Sequence, residues 1–382
     1  MATWTNRRMV PRPPLNRPAV STEDRHVLDQ ESFQTMIALE RKRSERSHRA
    51  YALVLVTSFK GAHPPKSLLD KIASILPTLT RDTDLTGWHK AGSVVGVIFT
   101  DIPGREKNAV VPNIVARVVE TLRLQLTSTE FAQISISVNC YPEDWRLDTL
   151  RRPSNPALYP DLAWRERSRK ISIATKRIMD IAGGLIALIL LGPAFVVIAL
   201  AIKLTSRGPV FFRQRRVGQH GQPFVMLKFR SMYMGNDTSV HEQWFHSFYN
   251  GKAKRHAADG SSNGSYKLPH DPRVTPLGRF LRRSSLDEVP QFINVLRGEM
   301  SLVGPRPPIP YEVDVYQAWH RGRVLQAKPG ITGLWQVHGR SRVSFDEMVR
   351  LDLRYARTWS IWLDIKILLK TPAAVFFGEG AY

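Results

Sequence analysis

Cysteine is all but absent: Cys140 is the single thiol in 382 residues. A disulfide framework is therefore excluded, and the chain suits a reducing compartment or a fold indifferent to redox. Beside Tyr141 at the end of an apolar run, Cys140 reads as packing rather than as a thiol nucleophile. Acidic residues are scarce as well, 33 Asp and Glu against 55 Lys and Arg, which leaves a formal net charge of +22. Such an excess points to an anionic partner: nucleic acid, a membrane surface or a phosphorylated substrate. No secretory leader is expected, because no apolar segment follows the Arg- and Pro-rich residues 1–25, which read as a disordered tail. With 43% hydrophobic residues the rest can build two cored domains, so global disorder, collagen and coiled coil are excluded.

A cluster of Arg, Pro, Ser and Asn at Arg151–Pro160 marks the boundary between them. The expected organisation is a tail (1–25), an accessory domain (26–150), a linker (151–170) and a second domain (171–382). In the accessory domain the periodicity predicts helices over Glu31–Ser47, Lys66–Leu79 and Asn108–Leu126. Strands are predicted over Tyr51–Val56, Ser93–Phe99 and Ile134–Val138. That αβαβαβ order predicts an α/β sandwich. With Phe33 and the Glu- and Arg-rich first helix, the pattern resembles the nucleotidyl-cyclase-like fold of GGDEF domains. Where such a domain carries its acidic metal-binding turn, this chain has Gly87-Trp-His-Lys-Ala-Gly92, with no carboxylate pair for a metal. Cyclase activity is not expected, and a regulatory, oligomerising or purely structural role remains.

The second domain opens on the basic stretch Arg165–Arg177 and an uncharged run, Ile181–Ile202. At 1.5 Å per residue that run reaches about 33 Å as a helix, enough to cross a bilayer core. Two features oppose a simple span. Gly192-Pro193 stands at its midpoint, where proline removes a donor and should break the helix. Cations flank both ends, Lys176 and Arg177 before, Lys203, Arg207, Arg213, Arg215 and Arg216 after, and both flanks therefore carry the cytoplasmic mark. A broken, re-entrant helix over about residues 178–204 satisfies both. Beyond it, apolar runs around Gln219–Gln222 predict a hairpin whose cations face head groups or a diphosphate, and residues 235–267 read as a long polar loop.

The chemistry is expected near Leu281–Gly298. Leu286, Val289, Ile293 and Leu296 share one helical face and Asp287, Gln291 and Asn294 another. Ser285 and Glu288 have capping-box spacing, although Pro290 favours a start nearer Asp287. Either start puts Asp287 at a helix amino terminus, which favours a carboxylate and a neighbouring phosphate. The adjacent pair Asp287 and Glu288 offers a nucleophile and a neighbour that binds metal or moves a proton. Arg306, in a loop stiffened by Pro305, Pro307 and Pro308, can present a guanidinium to phosphate at low entropic cost.

Residues 170–382 resemble the bacterial sugar transferases, or monotopic phosphoglycosyl transferases, which start lipid-linked polysaccharide assembly. The resemblance rests on Lys176-Arg-Ile-Met-Asp180, Pro193, Gly208-Pro209, Lys228-Phe-Arg-Ser-Met232, Asp271-Pro-Arg-Val-Thr275, Ser285-Leu-Asp-Glu288, Gly304-Pro-Arg-Pro307, Lys328-Pro-Gly-Ile-Thr-Gly333 and Gly380-Ala-Tyr382. It implies an α+β, membrane-associated catalytic domain whose broken helix dips into the cytoplasmic leaflet of the inner membrane. It implies too that Asp287 attacks the β-phosphate of a UDP-sugar, forms a phosphosugar-enzyme intermediate and releases UMP, after which undecaprenyl phosphate accepts the sugar phosphate. Mg²⁺ would lie near Asp287 and Glu288. Arg282 and Arg306 are first choices for the phosphates, with Lys228, Arg230 and Arg340 second; each can equally pair with anionic inner-membrane lipid. Trp335, Trp359 and Trp362 are interfacial anchors or core. Phe345–Arg357 and Ile361–Phe377 are predicted helices. A nucleic-acid binder lacks any motif here, an inactive membrane scaffold has no need of the Asp287-Glu288 pair with Arg306, and a homo-oligomer stays open.

Overall fold

The computed structural model describes residues 27–58, 66–104, 106–143, 155–162, 170–235, 239–252, 273–339 and 343–376. The expected tail, Arg340 and Gly380-Ala-Tyr382 lie outside the described residues. Two compact units emerge: the chain through Phe33 with Ala52–Val138, and Gln34–Tyr51 with Asn139 onward.

Around the first unit run α1 (Gln30–Ser47), β1 (Ala50–Ser58), α2 (Lys66–Ile75), β2 (Leu85–Lys90), β3 (Val94–Ile102), α3 (Lys107–Gln125), α4 (Ser128–Ala132) and β4 (Ile134–Tyr141). The strands form one sheet in the order β2-β3-β1-β4. The apolar run Ala50–Val56 is buried throughout, as a central strand demands. β2 is absent from the expected order. Its Gly87 stands opposite Gly96 of β3, and this pair makes a floor for the Phe33 ring. A Cβ at Gly87 would lie 2.5 Å from Phe33 Cδ2. Gly87 to Lys90 are therefore strand, and the turn follows at Ala91–Ser93.

The second unit contains α5 (Lys170–Thr205), β5 (Phe211–Val217), β6 (Pro223–Phe229), α6 (Ser239–Tyr249), α7 (Pro276–Arg283), α8 (Gln291–Arg297), β7 (Ser301–Val303), α9 (Pro310–Asp314), α10 (Gly322–Leu325), β8 (Gly330–Thr332), α11 (Leu334–His338), α12 (Phe345–Thr358) and α13 (Ile361–Phe376). β5 and β6 are the expected hairpin, paired antiparallel from Phe211–Phe229 to Val217–Pro223. The supposed loop at 235–267 is corrected in part. Trp244, Phe245 and Phe248 recur at helical spacing and form α6, with Phe245 buried against Phe345.

α5 is one helix of 36 residues, and its apolar stretch is only 11% buried. It does not end at Gly192-Pro193 as expected: Pro193 sits inside it. Proline forfeits a single donor there, and the surrounding turns continue. Three residues tie its amino-terminal part to the second unit. Lys176 Nζ donates to Asp364 Oδ2 at 2.6 Å and Val303 O at 3.0 Å. Arg177 donates to Val295 O and Leu296 O at 2.6 and 2.7 Å, placing its cation on carbonyls of the last turn of α8. Buried Asp180 accepts from Ser301 Oγ and Leu302 N, both at 2.9 Å. The far part returns to the same unit, where Ile198 and Ile202 pack with Phe229, Leu281 and Val289. Between these anchors Ile189 and Leu190 are 73% and 74% exposed.

Candidate active site

The hairpin, α8 and two backbone crossings converge on Asp287. Asn294, fully buried on α8, accepts from Leu227 N at 3.0 Å and donates to Val225 O at 2.7 Å, stitching the helix to β6. The supposed polar face of this helix is thus interior, and its polarity serves the hairpin edge. α7 is set by Thr275, whose hydroxyl caps Gly278 N at 2.9 Å. Gly278 rests on the Ser231 backbone, where a Cβ would come within 2.0 Å of the carbonyl oxygen. That approach brings Arg282 Nε to Ser231 Oγ at 3.0 Å.

Asp287 lies on a short 3-10 turn, Leu286–Glu288, entered through Ser285 at φ +57°. The expected capping box is absent. With Ser285 left-handed its hydroxyl makes no cap bond, and α8 begins only at Gln291, after Pro290. Val289 and Pro290 both have helical angles, but Pro290 has no N–H to donate into the preceding turn, so the run of helical hydrogen bonds is interrupted there and α8 begins one residue on.

The dyad is asymmetric. Asp287 is 8% exposed. Burial pushes its carboxyl up to about 6, with Lys228, Arg282 and Arg306 pulling down and Glu288 pushing further up. Glu288 also feels burial, but Lys228 and Arg306 outweigh it and hold its carboxyl down at about 2. Its direct partner is Lys228 Nζ, 2.8 Å away. One carboxylate is therefore fixed and ionised while its neighbour sits near the edge of protonation.

Arg306 projects from a loop whose carbonyls are all engaged. Pro305, Arg306, Pro307 and Pro308 accept in turn from Gly330 N (2.9 Å), Arg323 Nη2 (3.1 Å), Arg216 Nη1 (2.8 Å) and Val217 N (3.0 Å). Gly304 and Gly330 let the parallel strands β7 and β8 cross there: a Cβ on Gly330 would stand 2.0 Å from Gly304 N. The Arg306 side chain is exposed, and its charge acts on both dyad carboxyls.

Of the residues singled out from sequence, Lys228, Arg282 and Arg306 gather around Asp287 and Glu288. Arg230 does not. It is buried, and its Nη2 donates to Ser206 O and Ser206 Oγ at 2.8 Å, clamping the end of α5. Arg340 falls outside the described residues. Trp335 is core, Trp359 donates to Asp364 at 3.0 Å, and Trp362 is exposed on α13. Arg323 and His241 carry no signal in the sequence reading, and Arg216 figures there only as a flanking cation. His241 Nδ1 lies 2.5 Å from the Tyr311 hydroxyl. Burial and the charges of Arg306, Arg216, Arg273 and Arg282 drop it to about 4, so it stays neutral amid cations.

Residues 171–378 match the family described as bacterial sugar transferase. The galactosyl transferase CpsE of Streptococcus agalactiae is 42% identical over 210 residues, covering 55% of this chain and 44% of that protein. The exopolysaccharide production protein ExoY of Sinorhizobium fredii is 40% identical over 214 residues, 56% of this chain and 91% of that one. The UDP-glucose:undecaprenyl-phosphate glucose-1-phosphate transferase of Escherichia coli is 41% identical over 215 residues, 54% of this chain and 41% of its own length. A solved Thermotoga maritima DGC protein aligns with 31% of this chain and 86% of its own at 19% identity, with a TM-score of 0.27, too low to bear on the argument. With more than half of its length matched by the family, the chain belongs to the bacterial sugar transferases.

Proposed function

We propose that the chain transfers a sugar 1-phosphate from a UDP-sugar to undecaprenyl phosphate, releasing UMP, as the initiating step of an exopolysaccharide or other surface glycan. The names of its relatives support the substrate classes. One observation carries the chemistry: a buried carboxylate, Asp287, beside a fixed anion, Glu288, within the field of Lys228, Arg282 and Arg306. In this reading an Asp287 oxygen bonds to the β-phosphorus and the bond from that phosphorus to the bridging oxygen breaks. Its electron pair leaves with UMP. A phosphate oxygen of undecaprenyl phosphate then attacks the same phosphorus, and the Asp287 carboxylate departs. Carboxylates serve as phosphoryl acceptors, and such transfers depend chiefly on positioning and charge neutralisation. Purified protein given undecaprenyl phosphate and a panel of UDP-sugars tests this; a scaffold would release no UMP from any of them.

The donors suit Mg²⁺, since two adjacent carboxylates supply hard oxygens. Mg²⁺ takes one or two carboxylates and fills its shell with substrate oxygens and water. Asp287 and Glu288 would hold it, and it would neutralise diphosphate charge there.

A nucleophilic Asp287 makes turnover depend on its ionisation. kcat/KM should climb with pH through an acid limb and level off once Asp287 is ionised. Lys228→Met removes a cation that favours the carboxylate, so the rising limb should move to higher pH. A pH profile of kcat/KM measures it; a limb displaced to lower pH contradicts the assignment.

For the apolar helix we propose a re-entrant path on the cytoplasmic face of the inner membrane. Support comes from its anchors, since Lys176, Arg177 and Asp180 at one end and Ile198 and Ile202 at the other hold the same unit. Cysteines placed at Ile173 and Leu204, in a Cys140→Ser background, should be labelled from one side of sealed vesicles. Labelling from opposite sides would establish a span.

A further inference from the structure

Arg323 is 3% exposed on α10, a rare setting for a cation. Its counterion is Asp352 of α12, 1% exposed, with Oδ2 2.8 Å from Nη2. α10 can approach α12 because residue 322 is glycine; a Cβ there would lie 2.9 Å from Leu353 Cδ2. Among the described residues the Asp352 carboxylate has no hydrogen-bond partner beyond that ion contact. Arg323 has two further bonds, Nη1 to Tyr316 Oη at 3.2 Å and Nη2 to Arg306 O at 3.1 Å. One nitrogen thus bridges a buried carboxylate and the backbone that carries the exposed Arg306 side chain.

Stability alone is a poor reason for such a pair, because apolar residues of similar size commonly serve a core as well or better. Its chemical consequence lies at the loop. Three of the five residues in Gly304–Pro308 are prolines without an N–H, so the segment is fixed chiefly through its carbonyls. The Arg306 carbonyl is the one at the residue whose charge acts on Asp287 and Glu288.

We propose that Arg323 and Asp352 are positioning residues for the transfer reaction, fixing the Arg306 backbone so that its guanidinium meets the substrate phosphates beside Asp287. The proposal rests on the function advanced above. Asp352 orients Arg323, Arg323 holds the loop, and only Arg306 touches substrate.

A double-mutant cycle on the full chain in detergent, with UDP-glucose and UDP-galactose as probes and UMP release as readout, tests it. Arg306→Ala should lower kcat/KM about 100-fold. Replacing the pair together, Arg323→Met with Asp352→Leu, keeps the interior neutral and should cost about tenfold. In the Arg306→Ala background the same replacement should cost no more than about twofold, because its effect passes through Arg306. A full tenfold loss in that background, or no loss in the wild-type background, overturns the proposal. Should the paired replacement not fold, Asp352→Asn enters the same cycle with the same criteria. If Arg306→Ala turns over normally, the role of Arg306 fails, and with it the basis of this proposal. If the wild-type chain releases no UMP from either sugar, the proposed function fails first.

Discussion

Asp287→Asn is expected to lose at least about 10⁴-fold in UMP release, the scale on which removal of a covalent nucleophile acts. The amide is nearly isosteric and cannot attack phosphorus. Folding should not suffer. The carboxyl of Asp287 lies at about 6 in the folded protein against an ordinary 3.8, so the fold favours its protonated form. As pH rises through that interval ionisation weakens the folded state, and a neutral amide removes the penalty. Thermal unfolding at pH 7.5 should therefore show a midpoint equal to or above the wild type. Loss of activity together with a lower midpoint would point to structural damage instead.

Asp364→Ala should have the largest effect on stability, about 3–5 kcal/mol, because it strands a partly buried cation. Asp364 is 0% exposed and accepts from Lys176 Nζ at 2.6 Å, Tyr355 Oη at 2.7 Å and Trp359 Nε1 at 3.0 Å. These bonds join α5, α12 and α13, so their loss loosens the long apolar helix α5 from its unit. Replacing both charges, Lys176→Met with Asp364→Leu, should recover much of the deficit. Denaturant unfolding in detergent measures both. A cost below about 1 kcal/mol for Asp364→Ala would mean that Lys176 finds a sufficient partner in Val303 O.

Local periodicity was enough for the hairpin, α12 and α13, where each element's pattern of apolar residues is set by its own packing. The dyad was legible because adjacent carboxylates close to arginines are a chemical pattern as well as a structural one. Other errors have identifiable causes. β2 escaped because Gly87 dilutes its strand signal while serving as a floor for Phe33. α6 was hidden by surrounding Ser, Gly and His, although Trp244, Phe245 and Phe248 keep helical spacing. The capping box at Ser285 is lost to that residue's left-handed backbone, which spacing does not reveal, and Pro193 is compatible with a continuous helix. Arg230 looked equivalent to Lys228, but it lies just past the end of β6 and turns to α5. Arg323 and Asp352 carry no local signal at all, since their relation exists only after α10 and α12 pack.

The proposed transfer requires that Asp287 become covalently attached to the sugar phosphate. Incubating the protein with a UDP-sugar that supports turnover, without undecaprenyl phosphate, and analysing the quenched peptides by mass spectrometry addresses it directly. The expected result is a sugar-phosphate adduct on Asp287 that disappears when undecaprenyl phosphate is added and never forms in Asp287→Asn. Turnover with no adduct on Asp287, or with an adduct on another residue, would contradict it.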